Sequence, residues 1–185
     1  MNEFQSLSNH FLIAMPTLAD PNFHKTVTLV CEHTAEGAMG LTINRPLDLG
    51  LHELLEQTDI AVRDLPDLPV FLGGPVQNNR GFVLHAPLGQ WETTLTITDK
   101  VGVSSSRDIL EAIAGKQGPE QYLVALGYAG WGAGQLEHEM AENSWLSTPA
   151  KSSIYFDTPI KERWQAAAQS AGVDLNTLSS EAGHA

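Results

Sequence analysis

The chain has 185 residues, which is enough for one well-buried core and short for two. Hydrophobic residues make up 42% of the chain and charged residues 17%, so the composition is that of a folded globular protein. The formal charge of −12 comes from 22 acidic residues against 10 lysines and arginines. Nucleic-acid affinity depends on cations that replace counterions along the phosphates, so this balance disfavours a broad DNA or RNA interface. We expect a single domain over residues 1–185.

The chain shows no signal for export or membrane insertion. Its longest N-terminal apolar run, Phe11–Met15, is too short for a signal peptide, and no stretch approaches the roughly 20 apolar residues of a membrane helix. Cys31 is the only cysteine, so no disulfide can form within the chain. We therefore expect a cytoplasmic protein without membrane contact.

The first half of the chain is dominated by strand patterns. The turn Leu18–Pro21 joins the first two strands, and residues 25–44 form a hairpin. Proline cannot donate to a strand ladder, so Pro46 ends this hairpin. A short helix at Leu51–Leu55 follows it. The predicted strands are His10–Met15, Lys25–His33, Ala38–Asn44, Pro69–Leu72, Gly81–Ala86 and Thr93–Thr98.

In the second half, strands alternate with helices. A glycine-rich stretch, Gly127–Gly134, separates a strand from the helix after it and is predicted to be a turn. The predicted elements are a helix at Ile109–Ala114, a strand at Gln121–Leu126, a helix at Gln135–Leu146, a strand at Ser153–Phe156 and a final helix from Ile160 to Ala171. Hairpins followed by strand–helix alternation predict an α+β fold with a mixed, mainly antiparallel and curled sheet.

Five residues at strand ends form the first candidate site: Asn44, Arg45, Gly73, Gly74 and Arg80. If these strand ends meet at one sheet edge, backbone N–H groups of the glycine turn and one or two guanidinium groups would hold a carboxylate or phosphate. In the alternative interpretation, both arginines simply pair with some of the 22 acidic residues.

The second glycine stretch adds Gly130, Trp131, Gln135 and Glu137 as ligand-binding candidates. A strand, a glycine turn and a helix resemble half of a dinucleotide site, but the glycine spacing does not give G-x-G-x-x-G. Glu137 and Glu139 would also repel a pyrophosphate at the start of the helix. The glycines are better explained by close packing around Trp131, and we predict no cofactor.

An enzyme that uses Gln135, Glu137 and Glu139 with His33 or His85 is a further hypothesis. Residues two apart on a helix point roughly 200° from each other, so Glu137 and Glu139 cannot flank one substrate atom. The pattern also predicts that Cys31 shares a strand face with His33, although a lone cysteine is more often a small buried apolar residue. No His-Glu-x-x-His motif is present, so we assign neither catalytic nor metal-binding residues.

Motifs spread over the chain from about residue 10 to the C-terminus resemble the AlgH (YqgE) family of bacterial proteins. Ser144 stands where many members of that family carry alanine. The motifs that carry the resemblance are Phe11–Pro16, Asp20-Pro21, Glu32-His33, Glu36–Leu41, Asn44–Pro46, Gly73–Val76, Arg80–His85, Leu126–Trp131, Gly134–Glu137, Asn143 with Trp145, and Gly183–Ala185.

The resemblance implies a single α+β domain of the Gram-negative cytoplasm, with a mixed sheet folded into a pseudo-barrel and with flanking helices. The family has no established biochemical activity, and some of its members carry the label "transcriptional regulator". We expect a non-enzymatic regulatory protein that binds a small anionic ligand or a protein partner at a cleft between the glycine turns. Direct DNA binding and enzymatic catalysis are the alternatives.

Overall fold

A curled sheet carries the fold, and helices cover parts of its outer surface. The computed structural model describes residues 4–15 and 25–173, and within them ten strands form a half-barrel. The strands are β1 (His10–Ala14), β2 (Val27–Thr34), β3 (Gly37–Thr42), β4 (Pro46–Gly50), β5 (Pro69–Leu72), β6 (Val76–Ala86), β7 (Thr94–Thr96), β8 (Gly102–Ser104), β9 (Gln121–Gly132) and β10 (Trp145–Pro149). The helices are α1 (Leu51–Gln57), α2 (Arg107–Ala114), α3 (Gln135–Ala141), α4 (Ser152–Phe156) and α5 (Arg163–Ser170), the last preceded by a 3-10 turn at Ile160–Glu162.

Strand β9 is the centre of the sheet. The main strand order is β10-β1-β2-β3-β9-β6-β8-β7, and β4 and β5 form a branch that joins β9. Neighbouring strands are antiparallel except β5 and β9, which run parallel with Phe71 opposite Ala125. One long strand therefore pairs with β3, β5 and β6. The predicted mixed, mainly antiparallel sheet, curled and flanked by helices in a single α+β domain, is confirmed.

Three apolar clusters hold the layers together. Several strands are buried on both faces, as in β1, where Phe11 points into the half-barrel and Leu12 points outward. The inner cluster includes Phe11, Ile13, Leu29, Leu41, Leu84 and Tyr155; the cluster under α1 and α2 includes Leu51, Leu55, Ile109 and Val124; the cluster under α3 includes Leu12, Val30, Trp131, Leu136 and Trp145. Burial on this scale is the main stabilising contribution to the fold.

The predicted glycine turn is wrong for most of its length, because β9 continues through it to Gly132. The pairing of Gly130 with Met39 and of Trp131 with Ala38 keeps this stretch in the sheet. The ladder satisfies the backbone groups, which outweighs the low strand propensity of glycine. Only residues 133 and 134 turn the chain into α3.

Two other elements also differ from the sequence prediction. The helix predicted to reach Leu146 ends at Ala141, and Trp145–Pro149 pairs with β1 instead, with Trp145 opposite Ala14. The predicted strand Ser153–Phe156 is helix α4. Ile154 and Tyr155 both face the inner core, whereas a strand would point successive residues to opposite faces.

The predicted strand Pro69–Leu72 is present with the same bounds, the remaining predicted elements are present with shifted ends, and the short strands β4 and β8 were missed. The predicted turn Leu18–Pro21 lies outside the described residues. No helix in the described ranges has the length and hydropathy of a membrane span.

Candidate functional site

Gly127 reverses the direction in which side chains face along β9. Before it, Ala125 packs in the inner core, and strict alternation would also keep Trp131 inside. Trp131 instead lies in the outer cluster under α3. Gly127 has φ +75°, and the pairing with β6 shifts register here, as in a β-bulge. The bulge therefore turns Tyr128 and Gly130 toward the inner face.

The turn that contains Gly73 and Gly74 packs directly on the backbone of β9. A Cβ atom at Gly73 would overlap the carbonyl oxygen of Gly127, and one at Gly74 would overlap the β9 backbone one residue further on. Gly73 N–H donates to the Leu126 carbonyl at 2.8 Å, and the Gly73 carbonyl accepts from the Thr42 N–H at 2.8 Å. The two glycine stretches thus meet backbone to backbone, and the Gly73 amide already has its acceptor.

A cleft of about 510 Å³ lies where the inner face of the sheet continues past the core. Gly130 leaves its floor open, because a Cβ atom there would lie in ordinary contact at 3.4 Å from the Tyr128 ring and 3.6 Å from Val76. The cleft is lined by Glu32, Thr34, Glu36, Gly37, Ala38, Met39, Val76, Tyr128, Gly130 and Trp131.

The charge of this cleft is negative. Glu32 and Glu36 are both exposed at its wall, and neither lysine nor arginine is among the described residues that line it. Like charges repel even in a partly aqueous environment, so the two carboxylates disfavour an anion in the cleft. The cleft therefore suits a cationic or hydrogen-bond-donating group better than the anion expected from the sequence.

The predicted arginine pair lies outside this cleft. Arg80 donates from Nη2 to Ser105 Oγ at 3.0 Å, and the Arg45 carbonyl accepts a hydrogen bond from β5. The Asn44 side chain accepts from the Val27 N–H at 2.9 Å and ties β2 to the bend that follows β3. Of the predicted set, the structure places only Gly130 and Trp131 in the cleft, with Gly73 and Gly74 supporting β9 beneath it.

Gln135 and Glu139 organise the outer surface near the cleft. Gln135 Oε1 accepts from the Gly132 N–H at 3.0 Å, and Gln135 Nε2 donates to Glu139 at 3.0 Å. Glu139 Oε1 also accepts the indole N–H of Trp131 at 3.1 Å and that of Trp145 at 2.9 Å. This carboxylate fixes the two tryptophans against α3.

Glu137 pairs with His33. His33 Nε2 donates to Glu137 Oε1, while His33 Nδ1 accepts from the Leu7 N–H at 2.9 Å. The edge of the Phe4 ring packs on the imidazole with centroids 4.8 Å apart. Both ring nitrogens are therefore engaged, and the imidazole connects the N-terminal segment to β2 and α3.

His85 belongs to a separate network. Its Nδ1–H donates to the Pro87 carbonyl at 3.1 Å, so Nε2 accepts from Ser104 Oγ at 2.8 Å, and Ser104 accepts in turn from Thr94 at 2.8 Å. His85 and Ser104 are fully buried, and burial lowers the pKa of His85 from its usual value. His85 therefore lies apart from the carboxylates of the enzyme hypothesis. His33 does pair with Glu137, but neither of these two residues lines the cleft.

The predicted common face of Cys31 and His33 is wrong. The register of β2 shifts between Val30 and Glu32, and this bulge leaves Cys31 in the inner core while His33 contacts α3 on the outer side. Burial is the main reason that the pKa of the Cys31 thiol is raised to about 12, so the thiol stays protonated. Among the described residues, no cluster of three or more histidine, cysteine, aspartate or glutamate side chains could hold a metal ion.

Sequence reasoning missed most of the cleft. Glu32, Met39, Val76 and Tyr128 lie in strands whose alternation could have suggested a shared face. Two bulges shift that alternation, one in β2 and one at Gly127. The available signal was the glycine at position 127, which allows the left-handed φ that the structure shows there.

Comparisons with known proteins agree with this architecture. Residues 11–176 match the family described as DUF179, AlgH-like. A UPF0301 protein of Nitrosococcus oceani is 61% identical over 96% of each chain, and one of Methylococcus capsulatus is 52% identical over 99% of this chain and 98% of that protein.

Two solved structures share the fold. The solution structure of the AlgH protein from Pseudomonas aeruginosa superimposes with a TM-score of 0.80 at 49% identity, and each chain is covered completely. A crystal structure of a Corynebacterium diphtheriae protein gives a TM-score of 0.76 at 17% identity, over 97% of this chain and 94% of that one, which is a likeness of fold alone. The chain therefore belongs to the AlgH-like family.

Proposed function

We propose that this chain is a cytoplasmic, non-catalytic binding protein with a regulatory role, and that its cleft takes a basic segment of a protein partner. The observation that carries the proposal is the pair of exposed carboxylates, Glu32 and Glu36, at a cleft whose floor is opened by Gly130. Charged groups of this kind attract and orient a partner of opposite charge.

The shape and chemistry of the cleft support a peptide segment over a small anion. Met39, Val76 and Tyr128 offer apolar surface beside the two carboxylates. An extended chain with a lysine or arginine could place its aliphatic stem on this surface and its charged end on the carboxylates. A small anion would meet the same carboxylates without a compensating cation in the lining.

A defined peptide panel tests the proposal. The probes are short soluble peptides with a central arginine or lysine among apolar residues, and matched peptides with norleucine at that position. We expect the cationic peptides to shift the backbone amide signals of Gly37, Met39 and Gly130 in two-dimensional NMR spectra, and the shifts to weaken with added salt. Equal binding of the norleucine peptides, or shifts confined to other surfaces, would contradict the proposal.

Two variants separate charge from shape. Glu32→Gln with Glu36→Gln should weaken the cationic peptides about tenfold, whereas Gly130→Leu should block the floor and leave the charge unchanged. The control is Glu53→Gln with Glu56→Gln on α1, which removes the same charge from another exposed surface. If the control weakens binding as much as the cleft variant, only the net charge matters and the cleft is not the site.

Direct DNA binding is the competing regulatory mechanism. An anisotropy titration with duplex DNA at low salt decides between the two. The net charge of −12 predicts weak binding without sequence preference. Nanomolar, sequence-dependent binding would replace the peptide proposal with a DNA-binding one.

A further inference from the structure

A second concave site lies at the opposite end of β9. This pocket has a volume of about 160 Å³ and sits where β5 and β9 begin, beside α4 and the start of α5. The residues between Leu123 and Gly130 span roughly 20 Å at the rise of a strand, so the pocket and the acidic cleft are separate. The lining is largely apolar and aromatic and includes Leu68, Phe71, Tyr122, Tyr155, Phe156 and Ile160.

Arg163 is the only lysine or arginine in the lining of this pocket as the structure describes it. The residue is only 7% exposed. Nε donates to the Thr158 carbonyl at 2.9 Å and Nη1 to the Ile43 carbonyl at 2.6 Å. The guanidinium lies over the Phe71 ring at 5.2 Å from its centroid, which fixes its plane.

The guanidinium keeps donors that the protein does not use. Arginine has five N–H donors, and those of Arg163 Nη2 have no acceptor among the described residues. No described aspartate or glutamate forms an ion pair with Arg163 either. Burial lowers the pKa of the guanidinium, but arginine remains charged in proteins. Nη2 is not among the fully buried polar atoms without a partner. A largely buried cation without a counter-ion costs free energy, part of which an anionic ligand at Nη2 would recover.

We propose that this pocket binds a small monocarboxylate with an aromatic or branched aliphatic body, and that the carboxylate receives the free N–H groups of Arg163. A planar guanidinium matches two carboxylate oxygens with parallel hydrogen bonds. A cavity of about 150 Å³ accommodates a benzene ring, so the volume of this pocket suits a body of that size. The site is independent of the acidic cleft and of its proposed partner.

The remaining lining explains why the ligand should be apolar outside its carboxylate. Phe71, Tyr155 and Phe156 provide ring surfaces, and Leu68 is 39% exposed although it is a large apolar side chain. A body that covers these groups would be removed from water together with them. An inorganic phosphate would place polar oxygens against the same apolar surfaces. These oxygens would lose their hydrogen bonds to water and gain none from the rings.

Titration of the full-length protein with benzoate tests the site, with benzamide as the neutral analogue of the same shape. We expect benzoate to raise the melting temperature and to shift the amide signals of Phe71, Val124 and Tyr155, with a Kd on the order of 1 mM or tighter. Benzamide should bind at least about tenfold more weakly, because it lacks the charge. 3-Methylbutanoate, as the branched aliphatic probe, should behave like benzoate.

Variants assign the binding to the guanidinium. Arg163→Lys keeps the charge and loses the planar pair of donors, so benzoate should bind at least about tenfold more weakly. The control, Arg107→Lys, changes an exposed arginine that pairs with Glu111 and should leave benzoate binding unchanged. Circular dichroism of the free proteins shows whether both variants fold.

If Arg163→Lys fails to fold, the titrations of the wild-type protein still test the proposal. Equal binding of benzoate and benzamide, shifts outside the pocket, or no shift with either carboxylate would overturn it. Binding of inorganic phosphate in preference to benzoate would also overturn it, since the pocket would then recognise an oxyanion without an apolar body.

Discussion

The carboxylate of Glu139 fixes two tryptophan side chains against α3, so its removal should destabilise the outer layer of the fold. Glu139→Leu keeps the length and helix propensity of the residue but removes the acceptor that Trp131 and Trp145 share. The loss of a hydrogen bond to a partly buried indole costs about 1–2 kcal/mol. The two bonds together give a loss of about 3 kcal/mol in the free energy of unfolding, within the range of severe single substitutions.

Urea denaturation followed by far-UV circular dichroism measures this change without relying on tryptophan emission. Glu139→Gln retains one acceptor oxygen but places an amide N–H₂ group opposite Gln135 Nε2. We expect this variant to lose about 1 kcal/mol in the free energy of unfolding. Glu142→Leu is the matched control at an exposed position next to α3. If Glu139→Leu unfolds within about 0.5 kcal/mol of the wild type, the shared acceptor contributes little and this reasoning is refuted.

Three further predictions concern single residues. Gly37→Ala should lower the free energy of unfolding by about 2 kcal/mol or more, because Gly37 has φ +143° and a Cβ atom would overlap the Trp131 carbonyl. Gly130→Ala is the control and should change it by less than about 0.5 kcal/mol. Thermal melts compare the two variants, and equal melting temperatures would contradict the different packing of the two glycines. Cys31 should resist iodoacetamide in the native protein and react in urea, as followed by mass spectrometry, because burial raises its thiol pKa to about 12; rapid native labelling would show that the thiol is accessible. The His85 pKa is lower in the folded protein than the unfolded value of about 6.5, so the folded state binds fewer protons and stability should fall as the pH drops below about 6.5. His85→Gln should reduce this dependence of the free energy of unfolding on pH, measured by denaturation at several pH values. An unchanged dependence would exclude His85 as its source.

Much of the fold could be predicted from local patterns. The β2–β3 hairpin followed from its β-branched residues and its turn, and the stripe of Ile109 and Ile113 indicated α2. Ser153–Phe156 was predicted as a strand because its residues suit one, yet tertiary packing turns both Ile154 and Tyr155 to the same core. Short-range propensity does not contain that packing, which depends on β9 and on the distant Phe11 ring against Tyr155.

The candidate site was less predictable, because it depends on where a bulge shifts the alternation of side chains between the two faces of a strand. The sequence indicated correctly that glycines are needed near residues 73 and 127, but it could not show that the two backbones touch. It also could not place Arg163, whose partners are the carbonyls of Ile43 and Thr158. An arginine that bonds to backbone carbonyls leaves no pattern in the charged residues around it.

The central position of β9 has a consequence for synthesis on the ribosome. Strands β3, β5 and β6 are made first, and each must wait for residues 121–132 before its ladder is complete. The nascent chain therefore exposes unpaired sheet edges for most of its translation, and such edges readily associate with other chains. Chaperone protection of the unfinished polypeptide would matter most until this last central strand has emerged.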